Sequence, residues 1–183
     1  LIALAKSQPG KLNYASPSSG GANHLAAEML KSMAGIDVVH VPYKCGAPAE
    51  ADLLGGRVTF MFHSLPAAMQ QVRSGRLRAL GVTSPQRARA GTEVPTIAES
   101  GLPGYEVSSW YGVVGPAGIP RPVLDRLNGL VRQIIKEPAV EKKFADLGYV
   151  TTGSIPEAYL EKLKLETERW TKVVKDNGIK VEG

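Results

Sequence analysis

The residues best suited to chemistry are small, and they are clustered. Ser16, Pro17, Ser18, Ser19, Gly20 and Gly21 form an unbroken run of turn residues. Such a run turns and packs no core. After it, Leu25, Ala26, Met29, Leu30 and Met33 recur at helical spacing. A serine and glycine loop that feeds a helix start presents free backbone N–H groups at the positive end of the helix dipole, which suits an anion. Taken alone, the run also suits an ordinary strand–loop–helix connection.

The same device recurs twice. Pro42 to Gly46, with Tyr43, Lys44 and Cys45, precedes a second helical stretch, and His63 and Ser64 precede a third. Alternating strands and helices of this length make parallel strands with crossover helices. Ligands in such sheets sit beyond the carboxyl ends of the strands. Three helix starts are therefore expected at one crevice. The candidate ligand-binding residues are Ser16, Ser18, Ser19, Gly20, His24, Tyr43, Cys45, Gly46, His63 and Ser64.

The residues that would transform a ligand are missing. No Gly-x-Ser-x-Gly elbow, Walker A loop or Gly-x-Gly-x-x-Gly run occurs. The three histidines, His24, His40 and His63, are too far apart for a helix-borne metal pair. His40 falls in a buried-looking strand and reads as a satisfied core residue. His24 reads equally as a ligand contact or as a local hydrogen-bonding group. Glu50 and Asp52 fall inside a helix and read as solvated, so no general acid/base pair is visible. The single cysteine, Cys45, excludes an internal disulfide and a cysteine-based zinc site. No metal or cofactor is expected.

These loops need elements to hold them. Strands are predicted over Leu12–Ala15, Val38–Val41, Val58–Phe62 and Leu77–Val82. Helices are predicted over Ala22–Ala34, capped by Gly35, over Ala47–Leu54, with Pro48 in its first turn, and from Leu65 to about Arg73. Thr96 and Glu99 have capping-box spacing for a short helix. The repeats stop near Gly101–Gly104. Beyond lie a predicted strand, Glu106–Val114, helices from Pro122 to about Lys136 and from Ala139 to about Leu147, a short strand, Gly148–Thr152, and a long helix from Ile155 to about Lys175. The tail Asn177–Gly183 ends it. Trp110 and Tyr111 are ligand-facing or core, one inward and one outward by alternation. Trp170 and Leu163 read as core.

Composition bounds the function class. The chain has 183 residues, 43% hydrophobic and 21% charged, and a formal net charge of +5. That is the balance of a globular protein open to anionic partners. The basic cluster from Arg73 to Arg89 has no interleaved aromatics, which argues against nucleic acid. No apolar run is long enough to cross a bilayer. Leu1 to Lys6 lacks the marks of a signal peptide, and with no initiator Met the chain reads as processed or truncated.

With these residues in view, the sequence resembles the Bug family, the substrate-binding receptors of tripartite tricarboxylate transporters. The resemblance is carried by Leu12–Pro17 (Leu-Asn-Tyr-Ala-Ser-Pro), His24-Leu25-Ala26, Val39–Lys44 (Val-His-Val-Pro-Tyr-Lys), Gly46–Ala49, Asp52–Gly56, Gly75–Leu80, Val94–Tyr105, Ser109–Gly112 and Pro116–Gly118. It runs in order over nearly the whole chain. It implies an α/β, periplasmic-binding-protein-like (type II) two-lobed fold, with residues 1–104 as the ligand-binding βα lobe and 105–183 as the helix-rich returning part of an incomplete lobe. It implies a periplasmic receptor, not an enzyme, that captures a small carboxylate for membrane transporter subunits. A sensing module that signals to a membrane partner is the alternative, and an α/β enzyme is the weaker one. The family usually has Gly where this chain has Cys45, and it begins with a signal peptide and most of the first lobe. An incomplete lobe is expected to self-associate.

Overall fold

The computed structural model describes residues 1–88, 91–176 and 178–179. Arg89 and most of the tail Asn177–Gly183 lie outside the described residues. The chain divides into two compact units, Leu1–Ser108 with Lys172–Gly183, and Ser109–Thr171.

In the first unit, α1 (Ile2–Ser7) precedes three parallel strands, β1 (Asn13–Ser16), β2 (Val39–Pro42) and β3 (Phe60–Met61), in spatial order β2-β1-β3. Tyr14 is in register with His40 on one side and Phe60 on the other. As the central strand, β1 is covered on both faces, and Tyr14 and Ala15 are both 0% exposed. A helix follows each strand: α2 (Ala22–Ala34), α3 (Gly46–Leu54) and α4 (Leu65–Arg73). Successive strand side chains point to opposite faces. Ala15 packs with Ala49 of α3 and with Val58, against Val41, Tyr43, Leu53 and Met61. Tyr14 turns toward α2, where its hydroxyl donates to Glu28 Oε1 at 2.6 Å. Gly35 ends α2 at φ +60, the left-handed conformation in which glycine avoids the Cβ penalty.

Two expectations change in this unit. Leu77–Val82 forms no strand, only a parallel bridge between Val82 and Thr96. Leu80 is 51% exposed, so the run has no second apolar face to bury. Thr96 and Glu99 do form the reciprocal capping bonds, Thr96 N–H to Glu99 Oε2 and Glu99 N–H to Thr96 Oγ1, each 3.0 Å. They close a turn where a helix was expected. Tyr105 is buried and its hydroxyl donates to the Ala26 carbonyl at 2.8 Å.

The second unit holds α5 (Arg121–Ile134), α6 (Pro138–Asp146) and most of α7 (Pro156–Asp176). Pro122, Pro138 and Pro156 each stand in a first helical turn, where a missing N–H costs nothing. The strands expected over Glu106–Val114 and Gly148–Thr152 are absent. A strand needs a neighbour for its N–H and C=O groups, and no strand of the described residues lies in this unit. No residue of α5, α6 or α7 is buried. Leu163, expected in a core, is 40% exposed. Trp110 meets Tyr159 edge-on at 5.5 Å, and Tyr111 is 79% exposed. Tyr111 in turn meets Tyr149 edge-on at 5.9 Å.

Candidate functional site

Parallel pairing puts the ends of β1, β2 and β3 on one sheet edge, so the three loops leave from the same side. Two contacts tie them together. The Tyr43 N–H donates to the Ser16 carbonyl at 2.9 Å, joining the second loop to the first. Asn23 Nδ2, in the first turn of α2, donates to the Phe62 carbonyl at 2.6 Å, joining the first to the third. The N-caps of α2, α3 and α4 are Gly21, Cys45 and Ser64, and none makes a side-chain capping bond. The first-turn N–H groups have no intrahelical partner either. A carboxylate accepting them would also meet the positive ends of three dipoles.

The first loop is braced from below. Ser16 is 0% exposed, and its hydroxyl donates to the Ser18 carbonyl at 2.9 Å. The same oxygen lies 2.7 Å from His40 Nε2. With the hydroxyl proton committed to Ser18, His40 Nε2–H is the donor in that contact. The Gly20 N–H donates to His24 Nδ1 at 2.9 Å, so that nitrogen is unprotonated. His24 is buried. Gly20 sits at φ +77, which favours glycine. A Cβ at Gly21 would collide with Ser18 Oγ. Ser18 is exposed and Ser19 half-buried.

In the second loop, the Tyr43 hydroxyl donates to Asp52 Oδ2 at 2.7 Å, and Arg57 Nη1 donates to Asp52 Oδ1 at 2.6 Å. These two bonds, Tyr43 first, hold the Asp52 carboxyl below its ordinary range, and Asp52 raises the Tyr43 phenol. Tyr43 thus commits both its N–H and its O–H within the fold. Cys45 is exposed, and its φ of −160 is extended backbone that any residue adopts, so Cys in place of Gly carries no strain. A Cβ at Gly46 would meet open space.

In the third loop, His63 Nε2 lies 3.2 Å from Glu50 Oε2, and Gln71 Nε2 donates to Glu50 Oε1 at 2.8 Å. Ser64 Oγ lies 3.4 Å from His63 Nδ1. Glu50 and Asp52 are therefore partnered braces, a correction to their reading as solvated residues. The Glu50–His63 contact joins α3 to the third loop across thirteen residues of sequence. Asn23 was also missed. Its partner lies 39 residues away, and only the strand order brings the two together. Among the described residues, no group of His, Cys, Asp and Glu could hold a metal ion, and no helix is long and apolar enough to cross a membrane.

This arrangement coincides with a family match. The model of the tripartite tricarboxylate transporter family receptor matches residues 1–179. The chain belongs to that family. The protein encoded in the tcbD-tcbE intergenic region of Pseudomonas sp. is 44% identical over 175 residues, covering 95% of this chain and 52% of that protein. BugT of Bordetella pertussis is 34% identical over 181 residues, covering 99% and 56%. The chain thus spans about half the length of these relatives. The structure of R. palustris Rpa4515 with adipate superposes with a TM-score of 0.90 at 35% identity, covering 99% of this chain and 60% of that one. The periplasmic binding protein BugD does so at 0.85 and 32%, covering 99% and 61%. MatC from Rhodopseudomonas palustris with bound malate does so at 0.78 and 28%, covering 94% and 60%. The fold is that of the periplasmic solute-binding proteins, and the family is one of receptors, not enzymes.

Proposed function

We propose that this receptor-family chain captures a small carboxylate for a tripartite tricarboxylate transporter, and that the carboxylate sits at the edge where β1, β2 and β3 end. The observation that carries the reading is the union of three uncapped helix starts through Tyr43 N–H to Ser16 O and Asn23 Nδ2 to Phe62 O. The adipate and malate held by two similar proteins are of the same chemical class. Recognition rests on the amides around Ser18, Ser19, Cys45, Gly46 and Ser64, with the Ser18 and Ser19 hydroxyls beside them. His24, Tyr43 and the Ser16 hydroxyl serve by holding the loops, since their polar atoms are already paired. His63 is paired with Glu50, so it too serves by bracing its loop.

The proposal includes a periplasmic location, delivery to the membrane subunits of the transporter, and no catalytic activity. Residues 1–104 act as the carboxylate-holding lobe and 105–183 as the returning part of the other lobe. Calorimetric titration with adipate, malate and an uncharged diol of matched length tests it. Binding of an acid but not of the diol is expected. Equal binding of acid and diol, or binding of neither, would overturn it.

A further inference from the structure

His24 and His40 form a stacked pair directly beneath the Ser16–Gly21 loop. Their centroids are 4.0 Å apart and their planes differ by 10°. Tyr14 stacks on His40 at 4.9 Å and closes the stack from β1. One histidine reaches each end of the loop: His40 through Ser16 to the Ser18 carbonyl, and His24 to the Gly20 amide. We infer that this pair positions the carboxylate loop, and that a proton on His24 Nδ1 releases it. The inference rests on the carboxylate reading only for its effect on binding, not for the loop movement itself.

The chemistry turns on one nitrogen. Nδ1 of His24 accepts the Gly20 N–H, so a proton there sets donor against donor, and the bond is lost. A charged His24 would also lie against the His40 ring. The surrounding groups act in both directions. Glu28 Oε1 lies 3.9 Å from His24 Nε2 and favours the charged ring. That carboxylate already receives the Tyr14 hydroxyl at 2.6 Å and Lys31 Nζ at 2.8 Å, and Lys31 opposes the charge. Burial outweighs Glu28 and lowers the His24 pKa below its ordinary value. Burial first and His24 second lower His40 to about 4. Both rings are therefore neutral at pH 7 and the loop is held. On acidification the loop is freed.

Two variants separate position from stability. His24→Asn offers an amide oxygen as a non-titrating acceptor for Gly20, and His40→Gln keeps a donor for Ser16. Amide exchange at Gly20, expressed as a protection factor, is followed from pH 7 to pH 4 in the wild-type chain and in the double variant. Protection in the wild type is expected to fall by about tenfold or more, while the variant stays level. Equal profiles, or no fall in the wild type, would overturn the inference. Adipate affinity over the same range forms a second arm, in which the double variant accounts for titration of the acid itself. A pH-dependent loop with no adipate binding at pH 7 would retain this inference and refute the carboxylate reading. Binding with a level Gly20 profile would do the reverse.

Discussion

The rings of His24 and His40 lie face to face, 4.0 Å between centroids, with one nitrogen of each hydrogen-bonded to the same loop. The pair also makes the fold sensitive to acid. The folded state lowers both pKa values, so it binds fewer protons than the unfolded chain. Stability from these groups is complete above the unfolded value of about 6.5 and declines as pH falls toward about 4. Urea midpoints measured across this window are expected to drop, and to drop less in the double variant His24→Asn with His40→Gln. Identical slopes would assign the acid sensitivity to other groups.

Gly20 supplies both a hydrogen bond and a conformation. At φ +77 a β-branched side chain is strained, and the strain acts where the loop is pinned to His24. Gly20→Val is expected to destabilise the chain by about 1–3 kcal/mol and to weaken carboxylate binding tenfold or more. An unchanged calorimetric affinity would remove Gly20 from the site.

Cys45 is exposed at the N-cap of α3. A maleimide reagent is expected to label it quantitatively. Saturating adipate should slow the labelling, because the ligand would cover the second loop. Equal rates with and without adipate would put Cys45 outside the occupied volume.

On α5, Val123, Leu127, Leu130 and Ile134 are spaced to share one face, and each is about half exposed, from 47% to 50%. An exposed apolar stripe of this kind suits a partner surface. A second copy of this chain is expected to cover it. Light scattering should show association that rises with concentration and is lost in Leu127→Glu with Leu130→Glu, both exposed enough to change without unfolding the helix. A monomer at all concentrations, with strong amide protection over Pro122–Lys175, would contradict this.

The βα repeats were legible because their signals are local. Leu25, Ala26, Met29 and Leu30 announce α2, and Gly35 announces its end, within one stretch of chain. Glu106–Val114 misled because alternation marks a surface fit for pairing, and pairing needs a neighbour. The candidate loops were legible as loops, and their braces were not. Tyr43 with Asp52 spans nine residues, His63 with Glu50 thirteen, and Asn23 with Phe62 thirty-nine. Charge and spacing suggested that Glu50 and Asp52 face water. The Asp52 partners, Tyr43 and Arg57, flank its own helix, and the Glu50 partners, His63 and Gln71, come from the next repeat, so tertiary folding and not charge or spacing pairs them.

Amide chemical shifts during an adipate titration test the central claim most directly, since they report each N–H separately and register even weak binding. The largest changes are expected in three separate stretches, Ser18–Ala22, Cys45–Ala47 and His63–Leu65, moving together with one apparent affinity. Shifts confined to one stretch, or largest elsewhere, would contradict the claim that three helix starts hold one carboxylate.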